Sequence, residues 1–493
     1  MTSRPASKSE RNVVAAVVAA GLLALLFYFA RDAHNGRVYL ERNAFNWDIW
    51  YCGAEAVAQH RDPYLVEPLR ACEHRVRGPA FGNHWKPWVV IPMPLPGYSL
   101  ALLWPLFTLP FLVAKAVWIG VALAALLATA WLGARLTRLS FPAVLLIFAP
   151  TVGVVNVVYG GLEPIGILAL CAAAFALERN RPAFAGALSA LACIEPHLGF
   201  PAVVAMLILV PRSRVAIVLT GGAFALGTVA LLGWPTVLEY VGGVLPAQSS
   251  GEAVLSSEQY SLTHVLHLAG VTTKIATTLG SLSYVAAIAL GAFAASRIRA
   301  LYDRPAAIVL VPVALSFLGG LYVHNHEIIA ALPGALLLAT LPFRSRPLAV
   351  AAVALLAFPW EFATRSLEIV ACLAVCTSIL VLARERKPAL RLALASIVPI
   401  LFALGWSLAD ALPGGTFALA ARPETILAGD LATSAWTKFL LWTPGRSVET
   451  AGSLILKAPW WLALLALTLA VIQLTIPPAR IGWLRRRQYN SSR

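Results

Sequence analysis

The chain has 493 residues, of which 59% are hydrophobic and 12% are charged, and its mean hydropathy is +0.77. Soluble domains carry roughly 25% charged residues, so this composition excludes an ordinary soluble protein and indicates an integral membrane protein. The net charge of +15 does not point to a nucleic-acid partner, because no basic stripe with interleaved aromatic residues is present.

The apolar stretches predict an all-α bundle of roughly 12–14 transmembrane helices, each about 20 residues long or shorter where protein covers its ends. The first stretch is long for a signal peptide and no small-residue cleavage site follows it, so we expect a retained helix with a cytoplasmic N-terminus. The whole chain, 1–493, is then a single integral membrane domain. In chain order the stretches are 13–30, 111–134, 141–159, 162–177, 182–194, 198–210, 215–233, 275–295, 306–322, 328–341, 348–359, 367–382, 392–412 and 458–476.

Three long segments separate these helices: the first outer loop at 31–110, the second at 234–273 and the third at 413–457. The first outer loop ends in an apolar, proline-rich stretch at 88–110. Because prolines break a regular helix, we interpret this stretch as interfacial or re-entrant and not as a crossing.

Basic clusters fall in every second loop of this arrangement. Short loops rich in Lys and Arg stay in the cytoplasm, so the intervening loops lie on the outer face. The intervening loops contain most of the side chains capable of chemistry, which predicts an enzyme or a transporter that works at the outer surface. The basic clusters are Arg135/Arg138, Arg179/Arg181, Arg212/Arg214, Arg297/Arg299/Arg304, Arg344/Arg346, Arg384/Arg386/Lys387 and Arg485–Arg487.

Two of the six cysteines, Cys52 and Cys72, share the first outer loop. An oxidising outer compartment would allow a disulfide between them, and two free thiols are the alternative. The other four lie in apolar stretches, where packing is the simplest role.

The first outer loop contains the strongest candidate site, Asp48 among Trp47, Trp50 and Tyr51. A partly dry, aromatic setting raises the pKa of a carboxylate and improves it as a base, and aromatic rings stack on sugars. The alternatives are an interfacial aromatic belt and an Asp that caps a helix.

The same loop continues with Asp62-Pro63-Tyr64, which is more typical of a turn than of a site. Further on, His84 and Lys86 lie among tryptophans. This pair fits a phosphate or pyrophosphate, or a lysine that reaches the membrane interface.

The later outer loops add acids and histidines. Glu163 and Glu195 stand at helix ends, where ionisable groups at membrane depth are site candidates by default. His324-Asn325-His326-Glu327 fits phosphate or sugar contacts better than a metal, because its spacing is not a specific ligand pattern. Weaker candidates are Glu258 and His264, which an amphipathic surface helix would also explain.

The order of these features resembles the GT-C superfamily of membrane glycosyltransferases, and most closely glycosyltransferase family 87, the polyprenol-phosphate mannosyltransferase type. The resemblance is carried by 48–58, Asp62–Tyr64, 92–110 and 322–333. Two positions depart from the family. Gly160-Gly161-Leu162-Glu163 stands where relatives tend to have Gly-Gln-x-Asn, and Glu195-Pro196 where they tend to have Lys-Pro.

The resemblance implies an inverting hexosyltransferase, with mannose or another hexose moved from a polyprenyl-phosphate donor to a glycan or glycolipid acceptor. The reaction would occur on the outer face of the plasma membrane and need no cofactor, and a divalent metal stays open. Asp48 would be the general base. The family's late histidine corresponds to His324 or His326. From residue type alone we also expect substrate contacts from Trp50, Tyr51, Tyr64, His84, Lys86, Glu163 and Glu195.

Two other functions remain open on the sequence alone. A transporter or flippase of a lipid-linked glycan would also be a polytopic bundle, although acids clustered at one face and long loops on that face favour an enzyme. A membrane scaffold would not require Asp48, His324 and His326 to meet in one cavity.

Overall fold

The computed structural model describes residues 44–81, 90–320, 322–360, 416–418, 430–442 and 448–475. The predicted helices at 13–30, 367–382 and 392–412 lie outside these residues, as do His84 and Lys86. The described part is an all-α bundle with one small pair of strands, which confirms the predicted fold class.

The helices follow the predicted order. They are α1 (Phe45–Ala58), α2 (Val66–Phe81), α3 (Gly97–Phe107), α4 (Phe111–Thr137), α5 (Phe141–Phe148), α6 (Asn156–Tyr159), α7 (Glu163–Glu178), α8 (Pro182–Leu191), α9 (Pro196–Leu209), α10 (Arg214–Glu239), α11 (Leu245–Ser250), α12 (Glu252–Leu255), α13 (Leu262–Leu268), α14 (Thr273–Tyr302), α15 (Ala307–Ser316), α16 (Asn325–Ile328), α17 (Leu332–Thr340), α18 (Arg346–Leu356), α19 (Ala432–Trp442) and α20 (Ala451–Thr475). Strands β1 (Thr416–Ala418) and β2 (Val448–Thr450) pair antiparallel.

Within the described residues, five helical segments are long and apolar enough to cross a membrane. Several shorter apolar helices pack among them and rely on their neighbours to cover their ends. The five segments are Phe111–Thr137, Phe141–Tyr159, Pro211–Leu255, Thr273–Tyr302 and Gly452–Leu474.

Prolines and glycines set the ends and bends of these helices. Proline stands in the first turn of α7, α8 and α9, where its missing N–H costs no helical hydrogen bond. The helical backbone of α10 is interrupted at Gly233, which has φ +77° and is the predicted end of the apolar stretch, and a second helical piece follows it to Glu239. The second outer loop is accordingly mostly helical, since it contains the end of α10 and all of α11, α12 and α13.

The first outer loop is also mostly helical and is folded into the protein. Asp48 lies inside α1 and not in irregular chain. Helix α3 has 11 residues, so it is about 16 Å long and covers about half of a 30 Å hydrocarbon core. This length agrees with a re-entrant or interfacial piece.

Close backbone packing joins α1 to the bundle. The N–H of Ala44 donates to the carbonyl oxygens of Val157 and Val158 at 3.1 and 2.8 Å. Gly160 adopts φ +72°, and a Cβ there would come within 2.5 Å of the Ala44 Cα. Only glycine permits this approach, which brings the start of α1 against the turn before α7.

The arginine-bearing ends of α4, α7 and α14 gather on one side of the bundle. The guanidinium of Arg304 lies 3.1 Å from the Glu178 carboxylate and also donates to the carbonyl of Leu136. The candidate site lies at the other ends of α7 and α9.

Cys52 of α1 and Cys72 of α2 form a disulfide, and are not the two free thiols that the sequence also allowed. The bond closes a loop with a sequence separation of 20 residues. It attaches α2 to α1 beside the buried Tyr64 and Leu69.

We predict that Cys52→Ser/Cys72→Ser lowers the free energy of unfolding by about 3 kcal/mol, because the unfolded chain regains the freedom of that loop. Thermal unfolding of the purified protein measures the change. The wild type should lose the same stability when reductant is added, whereas the double variant should not respond. A wild type that reductant leaves unchanged contradicts the prediction.

Candidate functional site

One large cavity, of about 1020 Å³, opens at the end of the bundle opposite the arginine-bearing ends of α4, α7 and α14. Its walls come from α1, the extended chain before α3, the α8–α9 turn, α11, α14, α16 and α19. Among the residues that line it are the carboxylates Glu163, Glu195, Glu252, Glu258 and Glu327, the histidines His197, His324 and His326, and the aromatics Trp50, Tyr98, Tyr159, Tyr240, Tyr284, Tyr322 and Trp436.

Glu327 contacts two of the three histidines, His197, His324 and His326, that line what we call the histidine side of the cavity. Its Oε2 accepts a hydrogen bond from the backbone N–H of His324 at 2.8 Å, which closes the first turn of α16. Its Oε1 lies 3.2 Å from Nε2 of His197 on α9. His197 and His324 hold the pKa of this buried carboxyl at about 2, despite burial, so it stays charged.

His324 lies between donors and acceptors. Its Nε2 is 2.7 Å from the Tyr322 hydroxyl, 3.3 Å from Oε1 of Glu252 and 3.1 Å from the amide nitrogen of Gln259. Burial lowers its pKa, but Glu252 and Glu327 outweigh that effect and raise it to about 9. The Gln259 amide nitrogen is a hydrogen-bond donor, so on its own it favours the neutral ring, in which Nε2 has a lone pair to accept. We assign the charged form, because two carboxylates in a poorly solvated site outweigh one neutral hydrogen bond.

His326 stacks between two rings, at 4.8 Å from Tyr159 and 5.2 Å from His324 by ring centroids. Burial and the neighbouring His324 lower its pKa to about 3, so this imidazole is neutral. Its Nε2 lies 3.4 Å from Oε1 of Glu163.

A short segment of the second outer loop secures His324 from behind. The N–H of Tyr260 donates to the Val323 carbonyl at 2.7 Å, and the N–H of Val323 donates to the Gln259 side chain at 3.0 Å. A buried cluster supports this segment in turn. Its His264 Nε2 lies 2.9 Å from Oε1 of Glu449 on β2, and Lys457 contacts the same carboxylate.

The structure brings together Trp50, Glu163, Glu195, His324 and His326, which all line the cavity. Glu258, His197 and Glu327 line it as well.

Three other candidates lie elsewhere. The hydroxyl of Tyr51 donates to the carbonyl of Leu109, and that of Tyr64 to the carbonyl of Leu95, so both pack α1 and α2 against their surroundings. His264 belongs to the buried cluster with Glu449. Asp62 accepts a hydrogen bond from the N–H of Tyr64 at 2.8 Å, as expected of a turn.

Asp48 is buried behind the cavity wall and is not among the lining residues. Its Oδ1 lies 2.9 Å from Nζ of Lys115 on α4, and the two side chains are 2% and 0% exposed. Trp47 stacks on Trp118 beside this pair, with ring centroids 5.0 Å apart. Three residues close to Asp48 on α1 line the cavity instead, namely Asn46, Ile49 and Trp50.

Sequence patterns missed Glu252, Tyr159 and Lys115 as parts of this region. Glu252 stands in a long loop with no motif around it. Lys115 lies in a stretch that reads as a plain transmembrane helix, although a lone cation within such a helix is itself a signal that a buried partner exists. No group of three or more His, Cys, Asp or Glu in the described part of the chain has the arrangement of a metal site.

Burial raises the pKa of Glu195 from 4.5 to about 7, an effect that His197 opposes and Glu327 reinforces. The folded protein therefore holds a proton that the unfolded chain releases, and stability should fall as pH rises from 4.5 through about 7. We predict that Glu195→Gln removes the contribution of this carboxyl to the loss of stability with rising pH. Unfolding midpoints measured across the same pH range test this. Glu67→Gln, a change at a half-exposed carboxylate, should retain it, and identical curves for wild type and Glu195→Gln contradict the prediction.

Comparison with known proteins identifies one family. The model of glycosyltransferase family 87 matches residues 96–324, from the start of α3 to His324. No curated protein and no solved structure matches the chain. The matched part contributes most of the cavity wall, including Glu163, Glu195 and His324. The resemblance drawn from the sequence is confirmed: residues 96–324 are similar to glycosyltransferase family 87, which is consistent with a membrane glycosyltransferase of GT-C type.

Proposed function

We propose that this protein transfers a sugar from a polyprenyl-phosphate donor to a glycan or glycolipid acceptor on the outer face of the plasma membrane. The transfer would be a single inverting displacement. The observation that carries the proposal is one cavity in which carboxylates, histidines and aromatic rings meet between apolar helices. Such a cavity offers a base, a phosphate contact and stacking surfaces for sugars within one volume.

The cavity has an apolar border that suits a lipid chain. Phe200 of α9 and Val285 of α14 line it and are also 50% and 63% exposed on the outside of the bundle. In a membrane this outer surface meets lipid. A polyprenyl chain would lie against these side chains while its sugar phosphate reaches the polar interior.

His324 and Glu195 suit the two ends of the displacement. A charged His324 would stabilise the leaving phosphate, with the Tyr322 hydroxyl beside it. Glu195, whose pKa lies near neutrality, would remove the proton of the acceptor hydroxyl. The new bond joins the acceptor oxygen to the sugar carbon, and the polyprenyl phosphate leaves with the bonding electron pair.

Asp48 is the rival candidate for the base. The sequence favours it through its aromatic setting and its place in the first outer loop. Its contact with Lys115 and its position behind the wall favour a role in holding α1, which carries Trp50 into the cavity. The transporter alternative has less support, because the match to a transferase family covers the cavity-forming helices.

We predict transfer of labelled sugar from polyprenyl-phosphate hexose in membranes that contain the wild type. Glu195→Gln should reduce the rate by about 10²-fold or more, since it removes a base and keeps the shape. The wild-type rate should rise as pH increases through about 7, where Glu195 loses its proton. Glu67→Gln is the matched control. Full activity of Glu195→Gln at equal protein level excludes it as the base, and transport of intact lipid-linked sugar without transfer supports the transporter.

A separate prediction concerns Asp48. Asp48→Asn should destabilise the protein by about 3–5 kcal/mol, because it leaves the Lys115 cation buried opposite a neutral amide. Asp48→Asn/Lys115→Met should recover most of this stability, measured by thermal unfolding. If Asp48 holds α1 in place, the double variant also regains transfer. If Asp48 is the base, the double variant folds and stays inactive.

A further inference from the structure

Glu163 lines the cavity, and one of its carboxylate oxygens has no hydrogen-bonding partner among the described residues. The side chain is buried at 2% exposure, yet it lines the cavity, and its Oε2 accepts no hydrogen bond. Burying a carboxylate with an unsatisfied oxygen is costly. A ligand that supplies donors would remove that cost.

The nearest ring nitrogen to Glu163 is an acceptor as well. The backbone N–H of His326 donates to Oδ1 of Asn325 at 2.6 Å, which identifies that atom as the amide oxygen. The same oxygen lies 3.0 Å from Nδ1 of His326, so Nδ1 carries the imidazole proton. In the neutral ring Nε2 then has a lone pair, and it faces Oε1 of Glu163 at 3.4 Å. Either a proton on Glu163 or an N–H group of a ligand therefore has to lie between these two acceptors.

Further negative charge surrounds this point. Glu195 and Glu327 are close enough to Glu163 to act on it electrostatically. Glu327 has His197 as a partner, and neutral His326 contributes no charge. The Glu163 end of the cavity therefore favours a cation that can donate several hydrogen bonds.

We propose that Glu163 and His326 bind a protonated amine on the sugar substrate, so that the substrate contains an amino sugar with a free amine. This inference rests on the proposed function and makes its substrate class more specific. An ammonium group has three N–H donors and a full charge, so it can satisfy Glu163 and Nε2 of His326 at once. A hydroxyl has one donor and cannot.

The position of His324 suits the same substrate. The His324 and His326 rings stack at 5.2 Å, so a phosphate at the first and an amine at the second lie about one sugar ring apart. Aromatic rings of Tyr159 and Tyr322 flank this space. A hexosamine linked through its phosphate would present opposite charges to the two histidines.

Free monosaccharides test the amine without any lipid donor. Full-length protein in detergent at neutral pH is titrated with glucosamine, glucose and N-acetylglucosamine, which share one ring and differ in the amine. Quenching of tryptophan fluorescence and the shift in unfolding midpoint report binding, because Trp50 and Trp436 line the cavity. We expect the dissociation constant of glucosamine to be at least about ten-fold lower than those of the two neutral sugars.

Two variants assign the preference to Glu163. Glu163→Gln keeps the shape and should abolish the preference for glucosamine. Gly161→Ala keeps the Glu163 carboxylate but displaces it, because a Cβ at Gly161 would lie 1.9 Å from Oε2 of Glu163. This variant should weaken glucosamine binding at least about ten-fold. Glu67→Gln serves as the control and should bind like the wild type.

Three results overturn the proposal. They are equal affinity for the three sugars, an amine preference that survives Glu163→Gln, and stabilisation by Mg²⁺ that depends on Glu163 in the absence of any amine preference. The last would assign the site to a metal ion. Failure of lipid-linked transfer would leave the sugar titration unaffected, so failure of the proposed function and failure of this inference are distinguishable.

Discussion

The constraint on which the described structure depends is that a charge buried between apolar helices must meet a partner. Transfer of a carboxylate or an ammonium group out of water costs several kcal/mol unless another charge or several hydrogen bonds compensate. Glu327 meets His197 and the His324 backbone, and Asp48 meets Lys115. The contacts of Glu327 with His197 and of Asp48 with Lys115 join elements far apart in sequence, so the pairing of charges also contributes to how the helices are arranged around the cavity.

Residues outside the cavity hold its lining residues in position. The segment with Gln259 and Tyr260 secures Val323 and His324, and the cluster of His264, Glu449 and Lys457 secures that segment. Residues Gln259 to His264, together with the described Glu449 and Lys457, therefore support His324, although in sequence they belong to two long connections. A site built on such support is preorganised, which is what stabilisation of a leaving phosphate requires.

The cavity is also divided by charge. His324 provides a cation where a phosphate would leave, whereas Glu163 and Glu195 make the opposite side acidic. The resemblance to family 87 implies an amide and a cation at these two positions, so relative to that expectation this chain has two acids in exchange. A substrate with separated positive and negative groups matches that exchange better than a neutral hexose does.

The sequence alone determined the fold class and the alternation of basic clusters along the chain, and it named Glu163, Glu195 and His324 among its site candidates. These follow from local rules, namely apolar stretches long enough to form membrane helices and basic loops between them. The resemblance to a transferase family was also readable, since it rests on the order of motifs.

Tertiary structure decided which candidates meet. Asp48 sits among aromatic residues in sequence, yet the one face of α1 that points to α4 gives it Lys115 as a partner, while Trp50 faces the cavity. Glu252 and Tyr159 have no motif around them and join the site only because the fold brings Glu252 to 3.3 Å from His324 and the Tyr159 hydroxyl to 3.1 Å from the Asn325 amide nitrogen. The Cys52–Cys72 bond, open on the sequence, depended on α1 and α2 lying side by side. Distances between distant segments are set by packing and charge pairing across the whole bundle, and no local pattern contains them.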